Sequence, residues 1–414
     1  MLKILINAYA CSPNWGSEPG MAWNWCSNLA KYCELYIITE GEWKDEIDEA
    51  IKTHPYGKNM HFYYNPVPQK VRDMCWNQGD WRFYKYYRDW QKKTADIARR
   101  ICNEVEIDVM HQLNMIGFRE PGLLWTIENK PFVWGPVGGM ELMPTGFLEG
   151  EPFKLKFALY LKNFLNNLQR RYQPNVNKAL KRACALSAAT KGVYDFVKEY
   201  HHKEIILLNE TGCYERELPI KPQGKDTFDV VWVGKFDYRK QLGLAIESIA
   251  QLKNCKKLKL HIIGSGTEEE VKRYKSLSQK LDVDNMIVWH GKIPNAKVQQ
   301  IMRESDLFLF TSIMEGTPHV VLEAIQNALP VICFDACGQS GVVNEKIGIK
   351  IEQSNKQNAI KDFSEAINKL YNSPEEVKLM SKNCNQRQKE LCWDGKAQIM
   401  VGLYKKAIEK FYDK

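Results

Sequence analysis

The sequence predicts an α/β protein with two doubly wound, Rossmann-like domains that face each other across a cleft. Short apolar segments alternate with helix-length segments of mixed polarity, which is the pattern of parallel sheets covered by helices on both faces. The chain has 414 residues, 44% of them apolar and 26% charged. That length suits two domains, and that composition excludes collagen-like, low-complexity and mainly disordered proteins.

The first domain is predicted to cover residues 1–213. Its candidate strands are apolar segments at residues 2–9, 33–39, 107–112, 131–136 and 185–190. A helix near residues 21–31 is expected to join the first two strands. Pro19 suits the first turn of that helix, where the amide hydrogen that proline lacks would have no partner.

A linker is predicted at residues 214–228, which contain two prolines and a glycine among charged residues. The second domain then covers residues 229–390, with candidate strands at 229–236, 258–266, 286–293, 306–312 and 330–335. Residues 391–414 are expected to form a helix that packs back on the N-terminal domain. Open α/β sheets bind ligands at the carboxyl ends of their strands, so the active site is expected between the domains.

The sequence also indicates where the protein resides. No apolar run approaches the roughly 18 residues that cross a bilayer, and the first residues lack the features of a secretory signal. The twelve cysteines are spread singly, without a C-x-x-C pair or zinc-type spacing. We therefore expect a cytoplasmic protein whose cysteines are mostly buried, reduced thiols.

One basic segment stands out in the modest net charge of +8. Residues 151–182 hold a single acid and apolar residues at helical spacing, together with eight basic residues: Lys154, Lys156, Lys162, Arg170, Arg171, Lys178, Lys181 and Arg182. The pattern fits an ordinary amphipathic helix that packs on its own domain. That interpretation is favoured, and the alternative is a helix that lies on the anionic inner face of a membrane.

A second segment, residues 76–100, combines aromatic and basic side chains that could stack on nucleic-acid bases. The chain has no nucleic-acid-binding motif, so a packed helix or the wall of an acceptor groove is the favoured interpretation. No nucleic-acid partner is expected.

The strongest candidate site lies in residues 310–332. A strand is expected to end at Ser312, and a loop with Glu315 and Gly316 leads into a helix that carries Glu323. The amide groups and positive dipole end at a helix start bind phosphate. The donor-binding candidates from this loop are Gly316, Thr317, Pro318, His319, Val320 and Glu323, and Glu315 is also a catalytic candidate.

Residues 231–241 add positive charge at a strand end of the same domain. Lys235 and Lys240 can pair with a diphosphate, with Arg239 beside them, and Lys240 is a second catalytic candidate. Gly264, at the end of the next strand, is expected to allow close backbone approach to the ligand.

In the first domain, Gly16 and Gly20 lie in a strand-to-helix loop where the backbone can approach a phosphate or a sugar. The loop lacks G-x-G-x-x-G, so the sequence gives no support to a nicotinamide or flavin cofactor. His111, at a strand end, is the third catalytic candidate. Two interpretations of His111 stay open: a structural histidine, or one that faces the cleft at the acceptor.

At these residues the chain resembles the retaining glycosyltransferases of family 4, which have the GT-B fold. The similar segments of the second domain are VGKFDYRKQ, IIGSGT, VWHGKIP and EGTPHVVLEAIQNALPVI, in which Glu315 and Glu323 bound an E-x7-E pattern. In the first domain, CSPNWGSEPGMAW, GFREPGLLW and PFVWGPVGGM resemble a bacterial subgroup, and LLNETG resembles the segment before the linker.

The resemblance implies roles for the candidate residues. Glu323 would hold the donor ribose hydroxyls, Glu315 the transferred sugar, and Lys235 and Lys240 the diphosphate, with backbone contacts from residues 316–320. It implies transfer, with retention, from a nucleotide-diphosphate sugar to a saccharide or lipid-linked acceptor in lipopolysaccharide or other surface-polysaccharide assembly. No Asp-x-Asp motif lies near these loops, so we expect no metal ion and no other cofactor.

The sequence departs from the family pattern at two positions. Lys235 stands where arginine is common, which keeps the positive charge but loses bidentate pairing. Leu113 stands where many relatives have a histidine close to the reacting sugar. Two alternative functions remain on the same fold, a nucleotide-sugar 2-epimerase and a non-catalytic binding subunit of a glycan assembly complex.

Overall fold

The computed structural model describes residues 1–77, 80–219 and 224–413. Residues 78–79 of the aromatic segment, 220–223 of the predicted linker and 414 of the C-terminal segment therefore lie outside the described part of the chain. Every strand pairing between the named strands is parallel, and the strands form two sheets.

The first sheet has seven strands: β1 (Leu2–Ala8), β2 (Cys33–Thr39), β3 (Met60–Tyr64), β4 (Val109–Asn114), β5 (Phe132–Val137), β6 (Ala185–Ala188) and β7 (Ile206–Leu207). Their spatial order is β3-β2-β1-β4-β5-β6-β7. The connecting helices are α1 (Ser17–Leu29), α2 (Lys44–Thr53), α3 (Gln69–Trp76), α4 (Phe83–Glu104), α5 (Phe153–Tyr172), α6 (Pro174–Arg182) and α7 (Lys191–Tyr200).

The second sheet has six strands: β8 (Phe228–Lys235), β9 (Leu258–Ser265), β10 (Ile287–Gly291), β11 (Leu307–Phe310), β12 (Val331–Phe334) and β13 (Gly348–Ile351). Their order is β10-β9-β8-β11-β12-β13. The helices are α8 (Leu242–Ala250), α9 (Glu268–Lys280), α10 (Asn295–Glu304), α11 (His319–Gln326), α12 (Gln339–Val342), α13 (Lys356–Tyr371), α14 (Pro374–Leu391) and α15 (Trp393–Tyr412).

The central strands are apolar because both of their faces are buried. In β1, Ile4 and Ile6 pack in one hydrophobic cluster, while Leu5 between them packs in another on the opposite face. In β8, Trp232 and Val231 divide between two clusters in the same way. The predicted fold class, two parallel sheets flanked by helices, is therefore confirmed.

Three strands were missed by the sequence prediction: β3, β7 and β13. All three lie at sheet edges. They are short and only partly buried, so they lack the continuous apolar run that marks a central strand. Helix α1 begins at Ser17, four residues before the predicted start.

Helix α15 follows α14 at the end of the chain and packs against the first sheet. Ala397, Met400 and Tyr404 of α15 belong to the same hydrophobic cluster as Ile4 and Ile6 of β1. The chain passes between the two halves at Cys213 and again at Cys392, where the backbones form a parallel bridge. The predicted divisions at 213, 228 and 390 stay predictions of domain boundaries.

A segment of the predicted first domain packs in the core of the second sheet. Met143, Phe147 and Leu159 are buried in the cluster that contains Trp232 of β8. The rings of Phe147 and Phe334 meet edge to face at 5.4 Å. The prediction of one N-terminal domain over residues 1–213 did not include this contact between the two halves.

His111 does not face the cleft, so the cleft-facing interpretation, and with it the catalytic role, is wrong. Its side chain is fully buried in β4. Nδ1 lies 2.7 Å from the Tyr404 hydroxyl of α15, and Nε2 lies 2.6 Å from the Gly135 carbonyl oxygen of β5. Because both ring nitrogens have protein partners, His111 joins α15 to the first sheet and is a structural residue.

Nine of the twelve cysteines are buried, and all twelve are thiols, as predicted. In the aromatic segment, Phe83, Tyr87 and Trp90 are buried against Tyr9, which confirms a packed helix there. None of the helices described is long and apolar enough to cross a membrane.

Burial lowers the pKa of His111 from 6.5 to about 4. Between pH 6.5 and about pH 4, His111 is therefore mostly protonated in the unfolded chain and mostly neutral in the folded chain. We expect the His111 contribution to stability to be complete above pH 6.5 and to fall by roughly 3 kcal/mol as the pH drops to 4.

Denaturant unfolding across this pH range, in the native protein and in a His111→Gln variant, measures that contribution as a difference. The variant should lose less stability on acidification because its side chain does not titrate. Parallel pH profiles would contradict the assignment, and Tyr404→Phe, which keeps the imidazole, should retain most of the native pH dependence.

Candidate active site

Two segments that the sequence predicted to share a site are adjacent at the carboxyl edge of the second sheet. The Ile313 amide donates to the Arg239 carbonyl oxygen at 2.8 Å. The Thr311 hydroxyl donates to the Lys240 carbonyl oxygen at 2.8 Å. The loop after β11 is therefore fastened to the turn after β8 through the backbone.

Lys240 and Glu315 form the centre of this site. The Lys240 ammonium lies 2.7 Å from Glu315 Oε1, and each side chain is about 15% exposed. The Ser312 hydroxyl also lies 2.7 Å from Glu315 Oε1. The ammonium further sits over the Phe310 ring, 5.2 Å from its centroid. These contacts hold one cation and one carboxylate at the end of β11, partly shielded from water.

Lys235 and Arg239 lie on the exposed side of the same edge. Lys235 is the last residue of β8. Arg239 is half-exposed and lies 3.3 Å from Asp237. The two side chains have room to reorient toward an anion, whereas Lys240 already has a fixed partner.

Helix α11 begins at His319, directly after the Gly316-Thr317-Pro318 turn. Gly316 and His319 are exposed, Val320 is partly exposed, and Thr317 and Pro318 are buried. Glu323 faces α10, where Gln299 Nε2 donates to its Oε2 at 3.0 Å. The carboxylate and the positive end of α11 thus lie along the same helix.

Glu210 also belongs to this site, although the sequence analysis gave it no role. Its carboxylate accepts hydrogen bonds from the Thr317 amide at 2.9 Å and the Thr317 hydroxyl at 2.6 Å. A side chain at Gly316 would begin 3.0 Å from the same carboxylate, so the glycine leaves room for it. The available signal in the sequence was the LLNETG segment, which contains Glu210 and resembles the family.

The neighbouring residue, Asn209, ties the two halves together. Its amide donates to the Ala189 carbonyl oxygen at 2.7 Å and to the Gly338 carbonyl oxygen at 3.0 Å. The Asn209 carbonyl oxygen accepts from the buried Lys396 ammonium at 2.9 Å. Burial lowers the pKa of Lys396 to about 8, and the nearby Glu210 charge opposes that change.

Glu141 is a second glutamate that sequence reasoning missed. It directly follows the PFVWGPVGGM segment, and its carboxylate contacts the Thr190 hydroxyl. Burial, together with the nearby charge of Glu210, raises the pKa of Glu141 to about 7. The first half of the chain therefore brings two carboxylates close to one another at the cleft.

The other three glycines predicted to bind the donor have different surroundings. Gly16 is exposed, and a Cβ there would meet nothing within 4 Å. A Cβ on Gly20 would lie 2.0 Å from the Trp15 carbonyl oxygen, so this glycine is required by the packing of α1. Gly264 is part of β9, where a Cβ would lie 1.7 Å from the Gly234 carbonyl oxygen. The close approach at Gly264 is thus between two strands, and the expectation that it serves a ligand has no support in this geometry.

Two parallel sheets joined across a cleft, with the predicted ligand site at the carboxyl edge of the second, have the architecture of the GT-B fold. Residues 215–387 match the family model described as glycosyl transferases group 1. That match contains Lys235, Lys240, Glu315 and Glu323. Residues 215–387 are therefore similar to a group 1 glycosyltransferase domain, and the chain has the GT-B fold.

Curated relatives are similar over parts of their length. The lipopolysaccharide 1,6-galactosyltransferase of Escherichia coli K12 is 29% identical over 134 residues, 31% of this chain and 36% of that protein. The putative teichuronic acid biosynthesis glycosyltransferase TuaC of Bacillus subtilis is 25% identical over 232 residues, 52% of this chain and 57% of that protein. The chain thus spans about a third to somewhat over half of these relatives.

Solved structures share the fold over nearly the whole chain. The lipopolysaccharide outer core galactosyltransferase WaaB aligns with a TM-score of 0.58 and 15% identity over 100% of this chain and 99% of that one. Anabaena HepE in complex with UDP aligns with a TM-score of 0.55 and 13% identity over 97% and 99% of the two chains. These likenesses establish the architecture.

Proposed function

We propose that the protein transfers a sugar from a nucleotide-diphosphate donor to a saccharide or lipid-linked saccharide acceptor, in the assembly of a bacterial surface polysaccharide or lipopolysaccharide. The observation that carries this proposal is the Lys240–Glu315 pair, 2.7 Å apart, beside the start of α11 within the family match. The names of the similar galactosyltransferase and of TuaC support the proposed pathway class.

The proposed donor site uses positive charge at one end and carboxylates at the other. As the bond between sugar and diphosphate breaks, negative charge grows on the leaving phosphate. Lys240, Lys235 and the α11 helix start can stabilise that charge without a metal ion, and Arg239 can add to it. We propose that the donor diphosphate replaces Glu315 as the ion-pair partner of Lys240. The Glu315 carboxylate then becomes available to bind the transferred sugar.

Glu323 is proposed to accept hydrogen bonds from the ribose hydroxyls, with backbone groups of residues 316–320 beside it. Its present partner, Gln299, is an uncharged donor that a ribose diol can replace. Transfer with retention of the anomeric configuration is part of the proposal, on the family resemblance.

Incubation of the full chain with a panel of radiolabelled UDP, GDP and ADP sugars tests the proposal. Transfer to added glycan or hydrolysis of the donor supports it. Interconversion of epimers would identify an epimerase, and nucleotide binding without any turnover would identify a binding subunit. Either of those two results contradicts the proposal.

We also propose that α5 contacts an anionic membrane. Leu159 of α5 is buried in the core of the second sheet. The other large apolar side chains of the helix are mostly exposed, for example Phe153 at 79% and Phe164 at 60%. They form one stripe along the helix: Phe153, Phe157, Tyr160, Leu161, Phe164, Leu165, Leu168 and Tyr172. The interpretation as an ordinary helix packed by its apolar face therefore does not describe this exposed stripe.

The opposite side of α5 holds it to the protein through asparagines. Asn163 exchanges hydrogen bonds with both backbone groups of Met143, at 2.9 and 2.8 Å. Asn166 donates to the Glu141 carbonyl oxygen at 2.7 Å. With the polar side packed and the apolar stripe exposed beside Lys154 and Lys162, the helix suits an interfacial position on acidic lipid.

Glu323→Ala should weaken binding of the nucleotide sugar. A charged acceptor of hydrogen bonds is worth about 1.5 to 3 kcal/mol, or roughly one to two orders of magnitude in Kd. Calorimetry with the accepted nucleotide measures the effect. Gln299→Ala is the matched control, because it removes the protein partner of Glu323 and keeps the carboxylate. Unchanged affinity in a folded Glu323→Ala variant would show that Glu323 does not bind the donor.

Lys240→Ala should reduce kcat more than it raises KM, because the charge on the leaving phosphate is greatest in the transition state. Steady-state kinetics with the accepted donor separates the two constants. Lys253→Ala, an exposed lysine that follows α8 at the opposite edge of the sheet, is the control. A change in KM alone would show that Lys240 contributes to donor binding and not to the transition state, which contradicts the prediction.

The α5 proposal predicts binding to vesicles that contain acidic lipid. Each basic residue near the surface contributes about 1 kcal/mol, and salt weakens the attraction because the Debye length is about 8 Å at physiological ionic strength. Co-sedimentation with acidic and neutral vesicles, at low and high salt, measures this. Phe157→Ser with Phe164→Ser should reduce binding, while Leu379→Ser, exposed on α14, should not. Equally negligible binding in all four conditions overturns the proposal.

A further inference from the structure

A cavity in the first half of the chain lies outside the donor site described above. It has a volume of about 590 Å³ and lies at the carboxyl ends of β1 and β2. Tyr9, which follows β1, and Glu40, which follows β2, are among its lining residues. This is the edge of an open parallel sheet at which ligands bind. The cavity size is in the range of small-molecule sites.

Three tryptophans form one wall of the cavity. The rings of Trp15, Trp43 and Trp76 contact one another, with centroids 5.4 to 6.1 Å apart. Trp43 is buried, yet Trp15 is 51% exposed and Trp76 is 48% exposed. Large aromatic faces left in water beside a cavity mark a binding surface. Because an aromatic face carries negative electrostatic potential, it attracts the polarised C–H groups of a sugar ring.

The charges of the cavity are acidic. Glu40 is neutralised by Arg72, whose guanidinium lies 2.9 Å from Oε1. Among the described residues, Glu18 and Glu42 have no lysine or arginine within ion-pair distance. Glu18 accepts from the Ile116 amide at 2.6 Å, and Glu42 accepts from the Trp76 indole at 2.9 Å. Burial raises the pKa of both carboxyls, although the charge of Arg72 opposes that change for Glu42.

The cavity is electrostatically close to the donor site. The charge of Glu210 contributes to the raised pKa of Glu18. Glu210 in turn accepts a hydrogen bond from the Thr317 amide, just before α11. Gly16, predicted to approach a sugar or phosphate, is exposed and lines this cavity. Two partly desolvated carboxylates beside it oppose a second anion, because like charges repel more strongly away from bulk water.

We infer that this cavity binds the acceptor through a sugar residue that carries no acidic group, stacked on Trp15 and Trp76, with Glu18 and Glu42 excluding uronic acids and phosphorylated sugars. The role as acceptor site rests on the proposed function, while the binding of a neutral sugar does not. The carboxylates can still accept hydrogen bonds from sugar hydroxyls, so they act on both affinity and selectivity.

Saturation-transfer NMR on the full chain tests the inference without any turnover. The probes are the methyl glycosides of glucose and galactose and the corresponding methyl uronides, which differ only in the acidic group. We expect at least one neutral glycoside to bind and its uronide to bind about tenfold more weakly. Glu42→Gln, which can still accept from Trp76, should narrow that difference.

Trp15→Ala combined with Trp76→Ala should abolish glycoside binding. Trp81→Ala, which removes a nearby exposed tryptophan that does not line the cavity, should leave it intact. All variants should keep the thermal stabilisation by the nucleotide diphosphate that the native protein binds, because the donor site is on the second sheet. Equal binding of a glycoside and its uronide, binding that survives the double substitution, or no glycoside binding at all overturns the inference.

The outcomes separate this inference from the proposed function. Glycoside binding without sugar transfer from any nucleotide sugar contradicts the proposed function and supports the neutral-sugar cavity. Sugar transfer in the native protein that is unchanged by Trp15→Ala with Trp76→Ala overturns the cavity and leaves the function standing.

Discussion

The candidate donor site depends on one loop, residues 311–318, and on the hydrogen bonds that hold it from both halves of the chain. The turn after β8 binds it through the Arg239 and Lys240 carbonyl oxygens. From the other side, the Glu210 carboxylate binds both the amide and the hydroxyl of Thr317. The position of the first turn of α11, and with it the direction of its dipole, follows from these contacts. The Glu210 carboxylate thus lies at the start of α11, and a helix start is also where an anionic ligand is stabilised.

The electrostatics of the cleft follow from the same arrangement. Glu141, Glu210 and Glu315 all come to the cleft, and burial holds the Glu141 carboxyl near pKa 7. Lys240 pairs with Glu315, and the buried Lys396 lies beside Glu210. Each cation therefore offsets a carboxylate, and a diphosphate that enters the site must compete with these glutamates for positive charge. In the proposed function, this competition couples donor binding to the contacts between the two halves.

Residues 140–172 connect the surface of the protein to its cleft. Helix α5 exposes its apolar stripe and packs by Asn163 and Asn166, which bind the backbone of Met143 and Glu141. Phe147 of the same segment packs in the core of the second sheet, and its carbonyl oxygen accepts from the Tyr238 hydroxyl at 3.0 Å. The surface proposed to contact lipid is thus joined by a short, packed segment to both sheets. An enzyme that glycosylates a lipid-linked acceptor would have its cleft placed beside that lipid.

The sequence by itself determined the fold class, the order of the central strands along the chain and the composition of the donor loop. Central strands are buried on both faces, so they read as apolar runs, and the loop from Ser312 to Glu323 is contiguous in sequence. Only the tertiary structure decided the rest. Edge strands such as β13 lack an apolar run, Glu210 meets Thr317 across 107 positions, and the three tryptophans of the cavity come from three separate segments. The sequence also did not determine the surroundings of His111 or of the apolar face of α5. The polarity of a side chain does not determine whether its neighbours in space are protein or solvent.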